Sequence, residues 1–336
     1  MKAPDHWWRE RDWRAAVLAP AAALYGAGAR LRRAFVRPAH VPIPVLCVGN
    51  PTAGGAGKTP VVQALVRRLA ARGRRPGILL RGHGGRLAGP LRIDPAAHDA
   101  AAVGDEALLH ARVAPTWVAR DRAAGARMAA ASEAVDCLVL DDGFQNPMLA
   151  KDVALLVVDG TVGLGNGRVF PAGPLREPLD QALARADALV LVGEDRTGLA
   201  ARLPATLPIL HAALVPDPPQ ALRDAPALIA FAGIGRPEKF FESLRALGLS
   251  PLECLAFADH HPYGAADIDR LTRLATERGL VTTEKDAVRL PAAARRGALA
   301  DLLTLPVSIA FEDGTAVDRL LDRLVDGTLA PQEDRP

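Results

Sequence analysis

Cysteine is nearly absent from this 336-residue chain, and the three that occur, Cys47, Cys137 and Cys254, lie far apart inside apolar runs. That spacing excludes a disulfide framework and a thiolate metal site, and the thiols read as core residues of a protein kept in a reducing cytoplasm. Histidine offers no zinc pattern either: His6, His40, His98, His110 and His211 stand without ligand-like partners and read as structural or surface residues. Extreme charge is missing as well. A net charge of +3 is modest, and no nucleic-acid partner is expected. There is no internal repeat and no low-complexity tract beyond alanine enrichment. The apolar run Ala15–Ala29 would cover only about 22 Å as a helix, short of the ~30 Å hydrocarbon core of a bilayer, so a span is not expected.

What is present is an ordinary globular composition, 49% hydrophobic, arranged as alternating strand and helix patterns. Strands are expected at Val45–Gly49, Pro76–Leu80, Thr116–Ala119, Cys137–Asp141, Val153–Asp159 and Ala188–Val192. Helical patterns fall at Pro60–Arg72, Asp105–Val113, Arg122–Glu133 and Leu179–Ala186. Such alternation predicts an α/β fold, a mostly parallel sheet with helices on both faces. A second series runs from Ala227–Ala232 through the helix Glu238–Leu247, the strand Leu252–Phe257, the helix Ala265–Arg278 and the strand Leu280–Thr282, and closes with Val307–Phe311. The Pro-rich stretch Val215–Gln220 marks the boundary between the two. The expected organisation is an N-terminal helical region (1–38), a first α/β domain (39–215), a smaller C-terminal α/β domain (216–329) and a disordered polar tail (330–336).

The most informative stretch follows the first strand. Val45–Gly49 runs into Asn50-Pro-Thr52-Ala53-Gly54-Gly55-Ala56-Gly57-Lys58-Thr59-Pro60 and then a helix. This is the arrangement of a phosphate-binding loop: backbone N–H groups from Thr52 to Thr59 face phosphate oxygens, Lys58 reaches the β- and γ-phosphates, and the Thr59 hydroxyl ligates Mg²⁺. It predicts binding of a nucleoside triphosphate. The pattern departs from G-x-x-x-x-G-K-[ST] at its first position, where Thr52 replaces glycine, and a chance Gly-rich turn is the competing reading. The second half of such a site is a strand ending in acid. Cys137–Leu140 runs into Asp141-Asp142-Gly-Phe-Gln145, where Asp141 can hold Mg²⁺ and Asp142 is free for another role. Further polar loops, Arg81–Arg86, Gly104-Asp105-Glu106 and Arg120–Arg122, fall where βα loops of one sheet edge gather and are candidates to read the phosphoryl acceptor. Taken singly, each also fits a solvated or helix-capping residue.

The N-terminus carries Trp7, Trp8 and Trp13 and the arginines 9, 11, 14, 30, 32, 33 and 37 around the short apolar run. Aromatic and cationic flanks fit a helix lying in a membrane interface; a helix packed on the protein and a secretory signal are the alternatives. Pro20 predicts a bend or a break.

Seven motifs in order, Gly49-Asn50…Gly54–Pro60, Arg81-Gly82-x-Gly84-Gly85, Gly104–Glu106, Asp141–Gln145, Pro171–Pro178, Asp259-His260 and Thr283–Ala287, closely resemble the tetraacyldisaccharide 4′-kinase family of the lipid A pathway. The likeness spans about residues 10–325. It implies a P-loop kinase that phosphorylates the 4′-hydroxyl of an acylated glucosamine disaccharide 1-phosphate with ATP and Mg²⁺, at the cytoplasmic face of the inner membrane. No obligate protein partner is implied. By resemblance Asp105 is the base toward the sugar hydroxyl, supported by His260 from the second domain, with Asp142 as the rival carboxylate. Arg122 is the candidate for neutralising the transferred phosphate, Gln145 stands near Mg²⁺ or the acceptor, and Arg176 and Glu177 line the nucleotide site. His83 and Asn146 replace a common Tyr and His of the family, so no role is carried to them, and His261 has none assigned. The alternative class is a P-loop switch or metallochaperone-type NTPase; a second lysine at the loop's start and an Asn-Lys-x-Asp guanine motif are both missing. A degenerate, non-catalytic scaffold is the third reading, opposed by intact Lys58, Thr59, Asp105, Asp141, Asp142 and His260.

Overall fold

A computed structural model describes residues 4–225 and 227–325; the tail expected at 330–336 lies outside the described residues. Thirteen strands are described: β1 (Val45–Gly49), β2 (Pro76–Leu80), β3 (Leu91–Arg92), β4 (Thr116–Val118), β5 (Cys137–Asp141), β6 (Val153–Asp159), β7 (Ala188–Val192), β8 (Ile209–Pro216), β9 (Leu228–Ala232), β10 (Glu253–Ala256), β11 (Gly279–Thr283), β12 (Leu303–Leu305) and β13 (Val307–Phe311). They form a nine-stranded sheet, β13-β8-β7-β6-β1-β5-β2-β4-β3, and a four-stranded one, β10-β9-β11-β12. The first is parallel except at its two edges, where β3 and β13 run antiparallel to β4 and β8; the second is parallel throughout.

The central strands read as unbroken apolar runs because both faces are covered. Leu46, Val48, Val139, Leu155 and Val157 point to one side, onto Val61, Val62, Leu65 and Leu69. Val45, Cys47, Leu138, Leu140 and Leu156 point to the other, with Trp117 and Phe144. The helices are α1 (Trp13–Val17), α2 (Ala19–Phe35), α3 (Lys58–Ala71), α4 (Ala100–Val103), α5 (Asp105–Ala111), α6 (Arg122–Ala131), α7 (Leu179–Leu183), α8 (Gln220–Arg223), α9 (Pro237–Ala246), α10 (Ala265–Glu277), α11 (Glu284–Arg289), α12 (Ala292–Arg296) and α13 (Gly314–Val325).

One strand sits elsewhere than expected. Val307–Phe311 does not close the second series: β13 leaves the small sheet and pairs with β8, Ile309 opposite Leu214. The chain then ends its described course in α13, whose Val317, Leu320, Leu321 and Leu324 join the core over α3. Arg68 and Arg72 of α3 hold Asp318 of α13 at 2.5 and 2.6 Å. A strongly one-sided apolar stripe needs such a partner face, and α3 supplies it.

At the N-terminus the chain breaks at Leu18, and Pro20 occupies the first turn of α2, where its missing N–H costs no hydrogen bond. The inner face of α2 buries Ala22 and Gly26, the latter against Pro178. Its outer face leaves Leu24 76% and Phe35 79% exposed, with Trp13 of α1 71% exposed. Among the described residues no helix is long and apolar enough to cross a membrane.

Candidate active site

The loop after β1 is held in shape by its own polar groups. Asn50 Nδ2 donates to the Thr52 and Gly54 carbonyls at 2.5 and 3.2 Å, while its Oδ1 accepts from Lys58 Nζ at 3.0 Å. Gly57 adopts φ +83° as the N-cap of α3, a left-handed turn that glycine makes at little cost. A Cβ added at Gly54 or Gly55 would meet nothing within 4 Å, so the loop's apex stands clear. The start of the loop explains its departure from the glycine pattern. Ala53 N donates to Pro174 O and Arg176 N to Pro51 O, while Thr52 bridges Leu175. Thr52 has no positive φ and is clamped as extended chain, so a β-branched residue fits there.

The carboxyl end of β5 faces this loop. Asp142 follows the strand in a left-handed conformation, φ +57°, and its Oδ1 accepts from Arg176 Nη1 at 2.7 Å, with Lys58 Nζ at 3.6 Å. Burial pushes this carboxyl up, and Lys58 and Arg176 outweigh it, leaving it below the usual carboxylate range. Asp141 is fully buried: its Oδ2 meets His110 Nε2 at 2.8 Å, and its Oδ1 has no partner among the described residues. His110, expected to be a structural or surface residue, is thus the direct neighbour of the acid proposed to hold the metal. Glu106 and His110 stand four apart on α5, a spacing that places them on one helix face.

Asp105 heads α5 and is gripped from the small sheet. Arg289 of α11 donates to its Oδ2 through Nε at 2.7 Å and approaches with Nη2 at 2.6 Å; His260 Nδ1 lies 3.2 Å from the same oxygen. Asp105 Oδ1 accepts from Glu106 N at 2.9 Å. Burial raises the Asp105 carboxyl, but His260 and Arg289 carry it well below the ordinary range. The same hydrogen bond raises His260 against the opposing effect of its burial. His260 has φ +55°, and its ring meets the edge of His83 at 5.6 Å between centroids. His83 therefore belongs to this site although no role was carried to it.

Next to Asp105, Glu106 Oε1 accepts from Thr59 Oγ1 at 3.2 Å and from Lys285 Nζ at 2.7 Å. Burial opposes its ionisation, yet Lys285 holds the carboxyl down at about 2. Glu106 and Lys285 stand inside quoted motifs without an individual role assigned to them, and Arg289 is a site residue that lies outside every motif. Lys285 and Arg289 stand four apart on α11, a helix whose N-cap Thr283 accepts from Asp286 N.

Two expected residues have other commitments. Glu177, expected to line the nucleotide site, is buried with Arg33 and Arg185 on one oxygen and Gln145 Nε2 on the other at 3.3 Å. It anchors α2 to the sheet. Arg122 is buried and donates to the Ala119 and Arg120 carbonyls at 2.7 and 3.4 Å, bracing the loop after β4, within the electrostatic reach of Asp141 and Asp142. Gln145 also donates to Asn50 O at 3.1 Å, which ties it to the loop's base. His261, to which no role was assigned, pairs through Nε2 with Asp267 Oδ2 at 2.9 Å, and its ring packs on Phe257 and Tyr263.

Among the described residues no group of three or more His, Cys, Asp or Glu forms a metal cage. Mg²⁺ does not need one, since it takes one or two carboxylates and completes its shell with water and phosphates. The partnerless Asp141 Oδ1, and an ammonium standing on the oxygen shared by Glu106 and Thr59, fit a divalent cation there.

Residues 14–326 match the family model LpxK, described as tetraacyldisaccharide-1-P 4′-kinase. A relative from Rhodospirillum centenum named tetraacyldisaccharide 4′-kinase is 55% identical, covering 97% of this chain and 98% of its own. One of the same name from Gluconacetobacter diazotrophicus is 54% identical over 97% and 99%. The crystal structure of LpxK from Aquifex aeolicus in complex with ATP superposes with a TM-score of 0.74 at 25% identity, over 93% of this chain and 99% of that one.

Proposed function

The chain belongs to the tetraacyldisaccharide 4′-kinase family, and from that premise we infer that it transfers the γ-phosphate of ATP to the 4′-hydroxyl of tetraacyldisaccharide 1-phosphate, yielding lipid IVA in lipid A biosynthesis. The observation that carries this reading is the pairing of Lys58 of the phosphate loop with Asp142 at the end of β5, together with Asp105 of the same sheet's side, which is met by His260 from the other. Phosphoryl transfer asks mainly for positioning and charge neutralisation. Asn50 aims Lys58 at the β- and γ-phosphates, and the open apex at Gly54 and Gly55 leaves room for them. Mg²⁺, when bound, would be held by Thr59 and by Asp141 or Glu106 and would neutralise charge on the phosphate oxygens.

The hydroxyl's proton passes to the Asp105–His260 pair, His260 presenting its ring to the cleft and Asp105 holding Nδ1. Arg289 keeps Asp105 ionised, so the proton comes to rest on the imidazole. Arg176 keeps Asp142 beside Lys58 and so supports the nucleotide side. The exposed Trp13, Leu24, Leu31 and Phe35, with the N-terminal arginines, form the face that lies on the anionic inner-membrane surface carrying the glycolipid.

The test is transfer of labelled γ-phosphate from ATP and Mg²⁺ to detergent-dispersed tetraacyldisaccharide 1-phosphate. A labelled bis-phosphorylated lipid is expected, reduced at least about 100-fold in Lys58→Ala. No lipid product from folded, ATP-binding protein would favour the P-loop switch NTPase.

A further inference from the structure

Lys285 and Arg289 sit one helical turn apart on α11 and grip two consecutive acids of the large sheet's side, Glu106 and Asp105. The two grips are not equivalent. Arg289 is almost wholly buried, and it is also fixed to the Gly233 carbonyl at 2.6 Å and to Asp286 Oδ1 at 3.0 Å. Lys285 and Glu106 remain about a third and a quarter exposed, at 30% and 27%, and the only hydrogen-bond acceptor recorded for the Lys285 ammonium is Glu106 Oε1, among the described residues. That oxygen is also the one bonded to the hydroxyl of Thr59, the phosphate-loop residue expected to ligate the divalent cation. An ammonium and a Mg²⁺ ion drawn to the same carboxylate oxygen beside one hydroxyl repel each other, and each weakens the other's hold there. Both are compact hard cations that seek oxygen, but only Lys285 is tethered to the second sheet.

We propose that Lys285 is a tethered competitor of the divalent cation for Glu106, so that loading of Mg²⁺ with nucleotide displaces Lys285 and loosens α11 from the phosphate loop, while Arg289 stays on Asp105. The inference rests on the ATP and Mg²⁺ reading above and adds a coupling to it. Metal arrival is felt by the sheet that supplies His260, through one ion pair, while the position of Asp105 is kept by the other. By linkage, whatever strengthens the Lys285–Glu106 pair weakens metal binding by the same factor. Lys285 acts here as a positioning residue and touches no reacting atom.

The experiment compares the affinity of the non-hydrolysable analogue AMP-PNP in Mg²⁺ and in EDTA by calorimetry, for wild type and Lys285→Met, and follows amide exchange over residues 284–289. The ratio of the two affinities should rise about tenfold in Lys285→Met, because Mg²⁺ no longer has to break a charge-assisted hydrogen bond. In wild type, exchange in α11 should quicken with Mg²⁺·AMP-PNP but not with AMP-PNP in EDTA. Should Lys285→Met fail to fold, Glu106→Gln serves: its α11 should exchange fast under both conditions and ignore the metal. An unchanged or smaller affinity ratio in Lys285→Met, or α11 exchange indifferent to metal in wild type, overturns the coupling alone. Wild type that binds AMP-PNP under neither condition overturns the nucleotide reading and the coupling with it.

Discussion

Two of the carboxylate-centred contacts that join the large sheet to the small one among the described residues differ in what they share with the phosphate loop. At the end of β6, Asp159 is buried under Arg236, 3.1 Å away, and Lys239, both from the head of α9, while its other oxygen takes the Thr161 hydroxyl at 2.6 Å. Those partners satisfy the acid, and none of them is a residue of the phosphate loop. At the head of α5 the same pairing of one arginine and one lysine closes on Asp105 and Glu106. There, however, Glu106 is bonded to Thr59, and His260, with a side chain 40% exposed, completes the Asp105 contact. The chemistry of the two contacts is alike. A contact built only from structural partners is an anchor, whereas one whose acids are also ligands to the loop ties the small sheet's position to the reaction.

The contrast is broken most severely at Asp105. Asp105→Ala should lower turnover about 1,000-fold and His260→Ala about 100-fold, within the usual reach of proton-transfer groups, while AMP-PNP affinity stays near wild type. Steady-state assays and calorimetry check both halves. Loss of nucleotide affinity in both variants would move these residues from the chemistry to the nucleotide site. Because Asp105 favours the protonated imidazole, the His260 value lies above its ordinary 6.5. As a base it must be neutral, so the rate should fall as pH drops through that raised value, and this limb should vanish in His260→Ala.

Much of this site was legible, and the reasons for what was not are physical. The central strands β1, β5, β6 and β7 announce themselves because each is apolar along its whole buried length, and the loop after β1 carries chemistry that few other folds need. The edge strands β3 and β12 and the penultimate strand β8 are short or half-exposed and leave no such signature. That β13 pairs with β8 rather than with its neighbour in sequence is a matter of long-range topology. Asp105 and His260 were visible as motif residues. Which residues meet them was not, since Arg289, outside every motif, lies 184 positions from Asp105, and the motif residues Lys285 and Glu106 lie 179 positions apart. The four-residue spacings Glu106/His110 and Lys285/Arg289 put each pair on one helix face, but nothing local says what that face meets. Glu177 shows the converse: a polar residue inside a motif, whose buried ion pairs with Arg33 and Arg185 make it an anchor for α2.

Asp159 sharpens the contrast from the other side. Asp159→Ala should cost about 1–2 kcal/mol of stability, a figure kept low because Arg236 and Lys239 are partly solvated, and should leave turnover within a few-fold of wild type. Burial raises the Asp159 carboxyl, but Lys239 and Thr161 bring it below its ordinary 3.8. A depressed acid contributes its stability above the unfolded value and loses it as pH falls through the folded one. Thermal melts of wild type and variant should therefore differ fully near neutrality and converge below about pH 4. A gap that persists in acid would mean that packing, and not the ion pairs, holds this junction.

The smallest effect is expected farthest from both contacts. Leu24 lies on the outward face of α2, away from the Arg33–Glu177 anchor, and is largely exposed. Leu24→Ser should leave stability, AMP-PNP affinity and turnover on detergent-dispersed substrate unchanged within error. If the outward face of α2 lies on lipid, losing one leucine's burial there should weaken sedimentation with anionic phospholipid vesicles by about tenfold, following ~1.5–3 kcal/mol for a buried leucine and a partial immersion of the helix. Equal vesicle binding by wild type and variant would separate α2 from the membrane surface and leave its exposed apolar face without a lipid role, whereas weakened binding with intact turnover in detergent would separate membrane docking from chemistry, as the Asp159 junction is separated from the Asp105 site.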